Sequence, residues 1–131
     1  MEIDKLAFIH VENRKVLSTV SKGKNAFYIP GGKREAGEGD EAALIREVKE
    51  ELSVDLKPET IKYYGTFKAQ AHGKAEGVMV KMTCYTAAFN GELQPSAEID
   101  KIVWLDSGNM QDVAPVDKLI LADMKKKKLI D

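Results

Sequence analysis

Residues 31–54 read GGKREAGEGDEAALIREVKEELSV, and this stretch decides the fold. Gly31, Gly32, Gly37 and Gly39 mark a loop that needs positive φ angles or a close backbone approach. Asp40 is the expected N-cap of a helix, and Glu41 adds negative charge to a first turn whose dipole favours it. A 3.6-residue period follows. Leu44, Ile45, Val48 and Leu52 fall on one apolar stripe, and Glu47, Glu50 and Glu51 fall together on a neighbouring face.

That acidic face has a cost. Glu47 and Glu51 stand at i,i+4, where like charges destabilise a helix by roughly 0.2–0.5 kcal/mol. Arg46, at i,i+4 to Glu50, offsets part of it. A solvated charged face is one explanation. Carboxylates converging beside a glycine turn fit a second one better: they suit a hard divalent cation with oxygen ligands, Mg²⁺ or Mn²⁺.

The spacing is specific. Gly32, five residues, Glu38, seven residues, then Arg46-Glu47-Val48-Lys49-Glu50-Glu51-Leu52-Ser53-Val54 resembles the Nudix box, the signature of the MutT-like hydrolases. Every element of that signature is met but one: the late glycine is Ser53 here. Glycine just past a helix usually takes a left-handed cap conformation, and serine in the same backbone costs on the order of 1 kcal/mol. The change removes no carboxylate.

The resemblance implies an α/β/α sandwich, with a mixed curved sheet, the box helix on one face and a C-terminal helix on the other. It implies a single domain spanning 1–131, with the box at 32–54 covering about a fifth of the chain. The implied reaction is metal-dependent hydrolysis of a phosphoanhydride in a nucleoside diphosphate linked to another moiety. A (deoxy)nucleoside triphosphate ranks first as substrate, and ADP-ribose or a nucleotide sugar second. A Nudix-fold domain that binds a nucleotide without hydrolysing it is the reading from another class, and the intact carboxylate set argues against it. By the same resemblance Glu47 and Glu51 are metal ligands, Glu50 completes the cluster, and the carbonyl of Gly31 supplies a further ligand. Arg46 orients a neighbouring carboxylate, and Glu38 acts through hydrogen bonding or a metal-bound water. The general base varies in such enzymes among box glutamates and residues of other loops. A downstream acidic residue often completes the site; Glu98 is the first candidate, with Glu92 and Asp100 as alternatives. Gly32 and Lys33 are placed to meet substrate phosphate, though Lys33 reads equally well as an exposed loop lysine.

Outside the box, 131 residues with 44% hydrophobic and 31% charged side chains describe one globular domain. The net charge of −1 excludes a strong field for nucleic acid or membrane. No apolar run approaches a membrane span, and the first residues, MEIDKLAFIHVE, do not read as a signal peptide. Cys84 is the one cysteine and sits in an apolar run, as a buried thiol does. The expectation is a cytoplasmic protein, monomer or homodimer, whose partner is a small nucleotide.

The other elements follow from period and punctuation. Residues 3–11 and 14–20 read as two strands of a hairpin joined by a Glu-Asn turn. His10 reads as a sheet-face histidine. Residues 21–25 form a polar loop whose Lys22 and Lys24 either touch phosphate or stay solvated. Residues 26–29 make a short strand into Gly31-Gly32. Residues 61–71, bent at Gly65, pair with 78–89 across a 72–77 loop that carries His72 at its edge. Residues 102–105 end a strand. Residues 115–130 form the last helix, with Pro115 in its first turn and Leu119, Ile120 and Met124 on the sheet. Lys125–Lys128 read as a dipole-compatible, solvated end. Phe27, Tyr28, Phe67 and Trp104 are candidate base-stacking or core aromatics.

Overall fold

The computed structural model describes residues 1–131. In chain order its elements are β1 (Glu2–Ile9), β2 (Val11–Glu12), β3 (Lys15–Ser21), β4 (Gly31–Gly32), α1 (Asp40–Leu52), β5 (Asp55–Leu56), β6 (Lys62–Gln70), β7 (Met79–Thr86), β8 (Phe89–Asn90), β9 (Ile99–Leu105) and α2 (Pro115–Lys126). Short 3₁₀ turns cover Pro58–Thr60 and Ser107–Asp112.

β1 organises the sheet. It runs parallel to β7, from Glu2↔Met79 to Ile9↔Thr86, and antiparallel to β4 through Leu6↔Gly32 and Ala7↔Gly31. With β6 on the far side of β7, the mixed sheet has the order β4-β1-β7-β6. A three-stranded antiparallel sheet, β2-β3-β9, and a β5-β8 pair complete the strands. Strand side chains alternate between faces. Leu6 and Phe8 therefore meet Leu44, Val48 and Leu52 of α1, while Ala7, Val80, Met82 and Cys84 meet Ile120, Leu121 and Met124 of α2. The two helices thus cover opposite faces, giving the expected α/β/α layers. No helix is long and apolar enough to cross a membrane.

The structure corrects several local expectations. The chain from 3 to 11 is not one strand of a hairpin. It breaks at His10, and only Val11–Glu12 pairs back, on Lys15–Val16. The turn is Asn13-Arg14, with φ of 51° and 62°, the primed geometry that matches strand twist. β1 takes its long partner from β7, more than 70 residues away, which a local period cannot announce. Residues 26–29 reduce to isolated bridges, Tyr28 to Thr19 and Phe27 to Val113. The strand expected over 78–89 divides after Thr86. Leu119 is 44% exposed, and Leu121 takes its place against the sheet. The bend at Gly65 is present as a register shift between Tyr63 and Gly65.

Ser53 keeps the glycine-type helix exit. Its φ is 64° and ψ 22°, and its N–H donates to the carbonyl of Lys49. An L side chain in this region costs about 1 kcal/mol. Ser53→Gly should therefore raise stability by about 0.5–1 kcal/mol and the melting temperature by roughly 2–4 °C. A calorimetric melt that shows no gain would mean that the serine is unstrained.

Candidate active site

Two glycines bring the chain up to α1. A Cβ on Gly31 would collide with the carbonyl oxygen of Leu6, and the residue's φ is +151°. A Cβ on Gly32 would lie 2.6 Å from the Glu47 carboxylate. Only glycine at both positions lets β4 pair with β1 and touch the acidic face of the helix.

The apolar stripe of α1 fixes its rotation. Ala43, Leu44, Val48 and Leu52 are fully buried, while Ile45 is only partly covered. That rotation turns Glu47 and Glu51 toward β4. Glu51 is 6% exposed, and its Oε1 accepts the Gly31 N–H at 3.2 Å. Burial pushes its carboxyl up to about 8, against the pull of that N–H, and the charges of Glu47, Glu98 and Glu50 add to the rise. Glu47 is also raised, first by burial, although Arg46 opposes the shift. Glu50 stays at the rim, with half of its side chain in solvent.

Arg46 ties the loop to the helix. Its Nε and Nη2 hold both oxygens of Glu38, at 2.7 and 2.8 Å. Nη1 reaches Glu47 at 2.9 Å, and Nη2 also donates to the Lys33 carbonyl at 3.1 Å. This is the bidentate fork that suits arginine. Arg46 and the Glu35 N–H hold Glu38 down at about 2, so its carboxylate is committed to this contact.

Asp40 is not the N-cap. Gly39 takes that place without a side-chain cap bond, and Asp40 is the first helical residue. Its carboxylate accepts from Arg34 Nε at 2.6 Å and from the Tyr85 hydroxyl. Arg34 also reaches Asp4 of β1 at 3.1 Å. Tertiary partners have outcompeted the local capping bond, and they tie the glycine loop to β1 and β7.

These parts wall a cleft of about 590 Å³. Gly31, Gly32, Lys33, Glu47, Glu51 and Glu98 all line it. Of the three downstream acids, Glu98 is the one that reaches it; Glu92 and Asp100 do not. Of the four aromatic candidates, Tyr28 lines it, while Phe27, Phe67 and Trp104 do not. His10 lies elsewhere, against Phe8, Phe89 and Trp104.

Asp117 of α2 is the residue that the sequence reading missed. It is completely buried and lines the same cleft. Oδ2 accepts the Ile29 N–H at 3.1 Å, and Oδ1 has no partner. Burial pushes its carboxyl up to about 7. A signal existed: Asp117 lies three and four residues before Ile120 and Leu121, on the apolar side of the helix, where an acid needs a reason.

As the side chains stand, no three His, Cys, Asp or Glu residues form a ready cage for a metal ion. The donors nevertheless fit a hard cation. The buried Glu51, the partly buried Glu47 and Glu98 line one cleft, and beside them stand only the Gly31 N–H on Glu51 and the Arg46 guanidinium on Glu47. Mg²⁺ usually binds through one or two carboxylates and completes its shell with water and phosphate, so no full protein cage is required.

A sequence model of the NUDIX domain matches residues 5–124. The chain belongs to the NUDIX family. It is a NUDIX hydrolase, with the pyrophosphohydrolase activity general to the family, and NUDIX hydrolases act on small nucleotide substrates and generally use divalent metals. Solved structures share the fold. The E. coli ORF135 protein is 24% identical, with a TM-score of 0.74 over 95% of this chain and 89% of that one. A MutT protein from Bacillus halodurans is 26% identical, with a TM-score of 0.69 over 91% and 79%. A putative nudix hydrolase from Chromobacterium violaceum is 22% identical, with a TM-score of 0.74 over 96% and 78%. No curated protein matches the chain.

Asp117 generates a prediction for this NUDIX domain. Its carboxyl is raised from 3.8 to about 7. Between those values the folded chain keeps a proton that the unfolded chain has lost, so stability falls as pH rises through the window and levels off above it. Asp117→Asn retains an acceptor for the Ile29 N–H and removes the titration. The wild-type melting temperature should decline relative to the variant from about pH 4 to about pH 7. Parallel curves would show that Asp117 does not titrate there.

Proposed function

We propose that this chain hydrolyses a phosphoanhydride of a nucleoside triphosphate, with Mg²⁺ or Mn²⁺, by attack of water. One observation carries the reading: a single cleft joins a carboxylate wall to a buried carboxyl group with a free oxygen. The wall of Glu47, Glu51 and Glu98 beside Gly31 and Gly32 suits a metal-bridged diphosphate. The apolar floor around Ile29 and Val80, with Tyr28 and Asp117, suits a base that needs one polar edge read.

The cleft's lining supports the following roles. Glu47 and Glu51 would hold the metal, joined by the Gly31 carbonyl and by Glu98, with Glu50 at the rim. When bound, the ion neutralises charge on the phosphate oxygens and activates water. Arg46 acts as a positioning residue: it holds Glu47 and, through Glu38 and the Lys33 carbonyl, fixes the loop above it. Lys33 lines the cleft beside these residues, where it would meet the phosphates. Asp117, whose carboxyl burial raises to about 7, offers its free oxygen to the base edge. It can give or take a hydrogen bond according to its protonation, which is a means of choosing among bases.

Release of phosphate or pyrophosphate from a panel of nucleotides tests this. The panel holds canonical and oxidised deoxynucleoside triphosphates, ADP-ribose and nucleotide sugars. Triphosphates should be the best substrates, and Glu51→Gln should lower kcat by about 10³-fold or more. Asp117→Ala should act mainly on KM and on the choice of base. Preferential turnover of ADP-ribose or of a sugar nucleotide would overturn the triphosphate assignment. Metal and nucleotide binding without any turnover would favour a binding domain.

A further inference from the structure

The cleft adjoins a smaller pocket of about 260 Å³. The pocket shares Lys24, Tyr28, His72 and Lys74 with the main cleft, and none of its lining residues is acidic. Two loops build it, residues 22–28 and the β6–β7 connection. Neither loop is loose. Lys22 N–H donates to the Glu98 carbonyl at 2.8 Å and Lys24 N–H to the Ser21 carbonyl at 3.0 Å. Gln70 staples the second loop: its Nε2 donates to the Ala75 carbonyl at 2.7 Å, and its Oε1 accepts the Gly77 N–H at 3.0 Å. Glu76, the acid of that loop, does not line the pocket. Lys24 and Lys74 take part in no ion pair of the molecule.

We propose that Lys24, Lys74 and His72 form a second anion subsite, which takes a phosphoryl group carried by the substrate away from the anhydride that is cleaved. The inference rests on the nucleotide reading above and narrows it. The charge layout supports it. The carboxylates that line the cavity system require a cation before they can hold phosphate. Lys24 and Lys74, which line it too, form no ion pair, and with the His72 imidazole they can bind phosphate directly. A nucleotide with its diphosphate at Glu47 and Glu51 and its base over Asp117 would share the cavity with Lys24, His72 and Lys74, which line it as well. The favoured ligand class is a nucleotide with a further phosphate, as a 3′-phosphate or as the link to a second nucleotide.

The probes are the 5′-monophosphates and the 3′,5′-bisphosphates of adenosine and guanosine, titrated calorimetrically into the intact protein with Mg²⁺. The bisphosphate of the preferred base should bind about 10-fold or more tightly than its monophosphate. In Lys24→Ala/Lys74→Ala that advantage should fall to about 2-fold or less, with monophosphate affinity unchanged. Both residues are exposed loop positions, so the fold should survive, and an unchanged melting temperature verifies it. Lys118→Ala/Lys125→Ala removes the same charge from α2 and should leave the advantage intact. Equal affinity of the two probes, or an advantage that persists in Lys24→Ala/Lys74→Ala, would overturn the subsite alone. Failure of all four probes to bind would overturn the subsite together with the nucleotide reading.

Discussion

The contact on which the site depends is that of Glu51 with the backbone of Gly31. A carboxylate that is 6% exposed has one backbone N–H for compensation and lies in the fields of Glu47, Glu98 and Glu50. Burying such a group is unfavourable unless charge is supplied from outside. The surrounding architecture holds that arrangement in place. The core residues Leu44, Val48 and Leu52 set the rotation of α1, and β1 pins the glycines of β4 against it. Burial and the neighbouring carboxylates favour the protonated acid at Glu51, and a bound cation would favour its carboxylate instead.

Arg46 and Arg34 divide the task of holding the loop. Arg46 uses its fork on Glu38 and a third nitrogen on Glu47, so one side chain couples the loop carboxylate to the cleft carboxylate. Arg34 joins Asp4 to Asp40, and Tyr85 reaches Asp40 from β7. The loop between β4 and α1 is thus tied to the helix on one side and to the mixed sheet on the other. Individually, partly exposed ion pairs contribute little. Their collective effect is to order residues 33–39 between β4 and α1, which preorganises the wall at which phosphate charge is met.

What was legible in the sequence was local. The stripe from Leu44 to Leu52, the three glutamates beside it and the β6–β7 hairpin all repeat at short intervals, and the structure contains each of them. Ser53 shows how far such reasoning reaches: the departure was visible, and the left-handed exit persists in spite of it. What was not legible depended on distant partners. β1 pairs with β7 instead of β3, so the expected hairpin shrank to a few residues around Asn13-Arg14. Asp40 had the sequence of a cap, but Arg34 and Tyr85 claimed its carboxylate. Asp117 interrupted an apolar helix face, and its significance emerged only when the fold carried it to the cleft and left one oxygen without a partner.

The central claim is that buried carboxylates, not the acidic face as a whole, create the cation site. The direct measurement is Mn²⁺ binding followed by electron paramagnetic resonance, for wild type, Glu51→Gln and Glu50→Gln, without nucleotide. The account predicts that Glu51→Gln weakens binding by about 10-fold or more, while the half-exposed Glu50→Gln changes it by about 3-fold or less. Equal Mn²⁺ affinity in wild type and Glu51→Gln would contradict it, and would return the acidic face of α1 to an ordinary solvated surface.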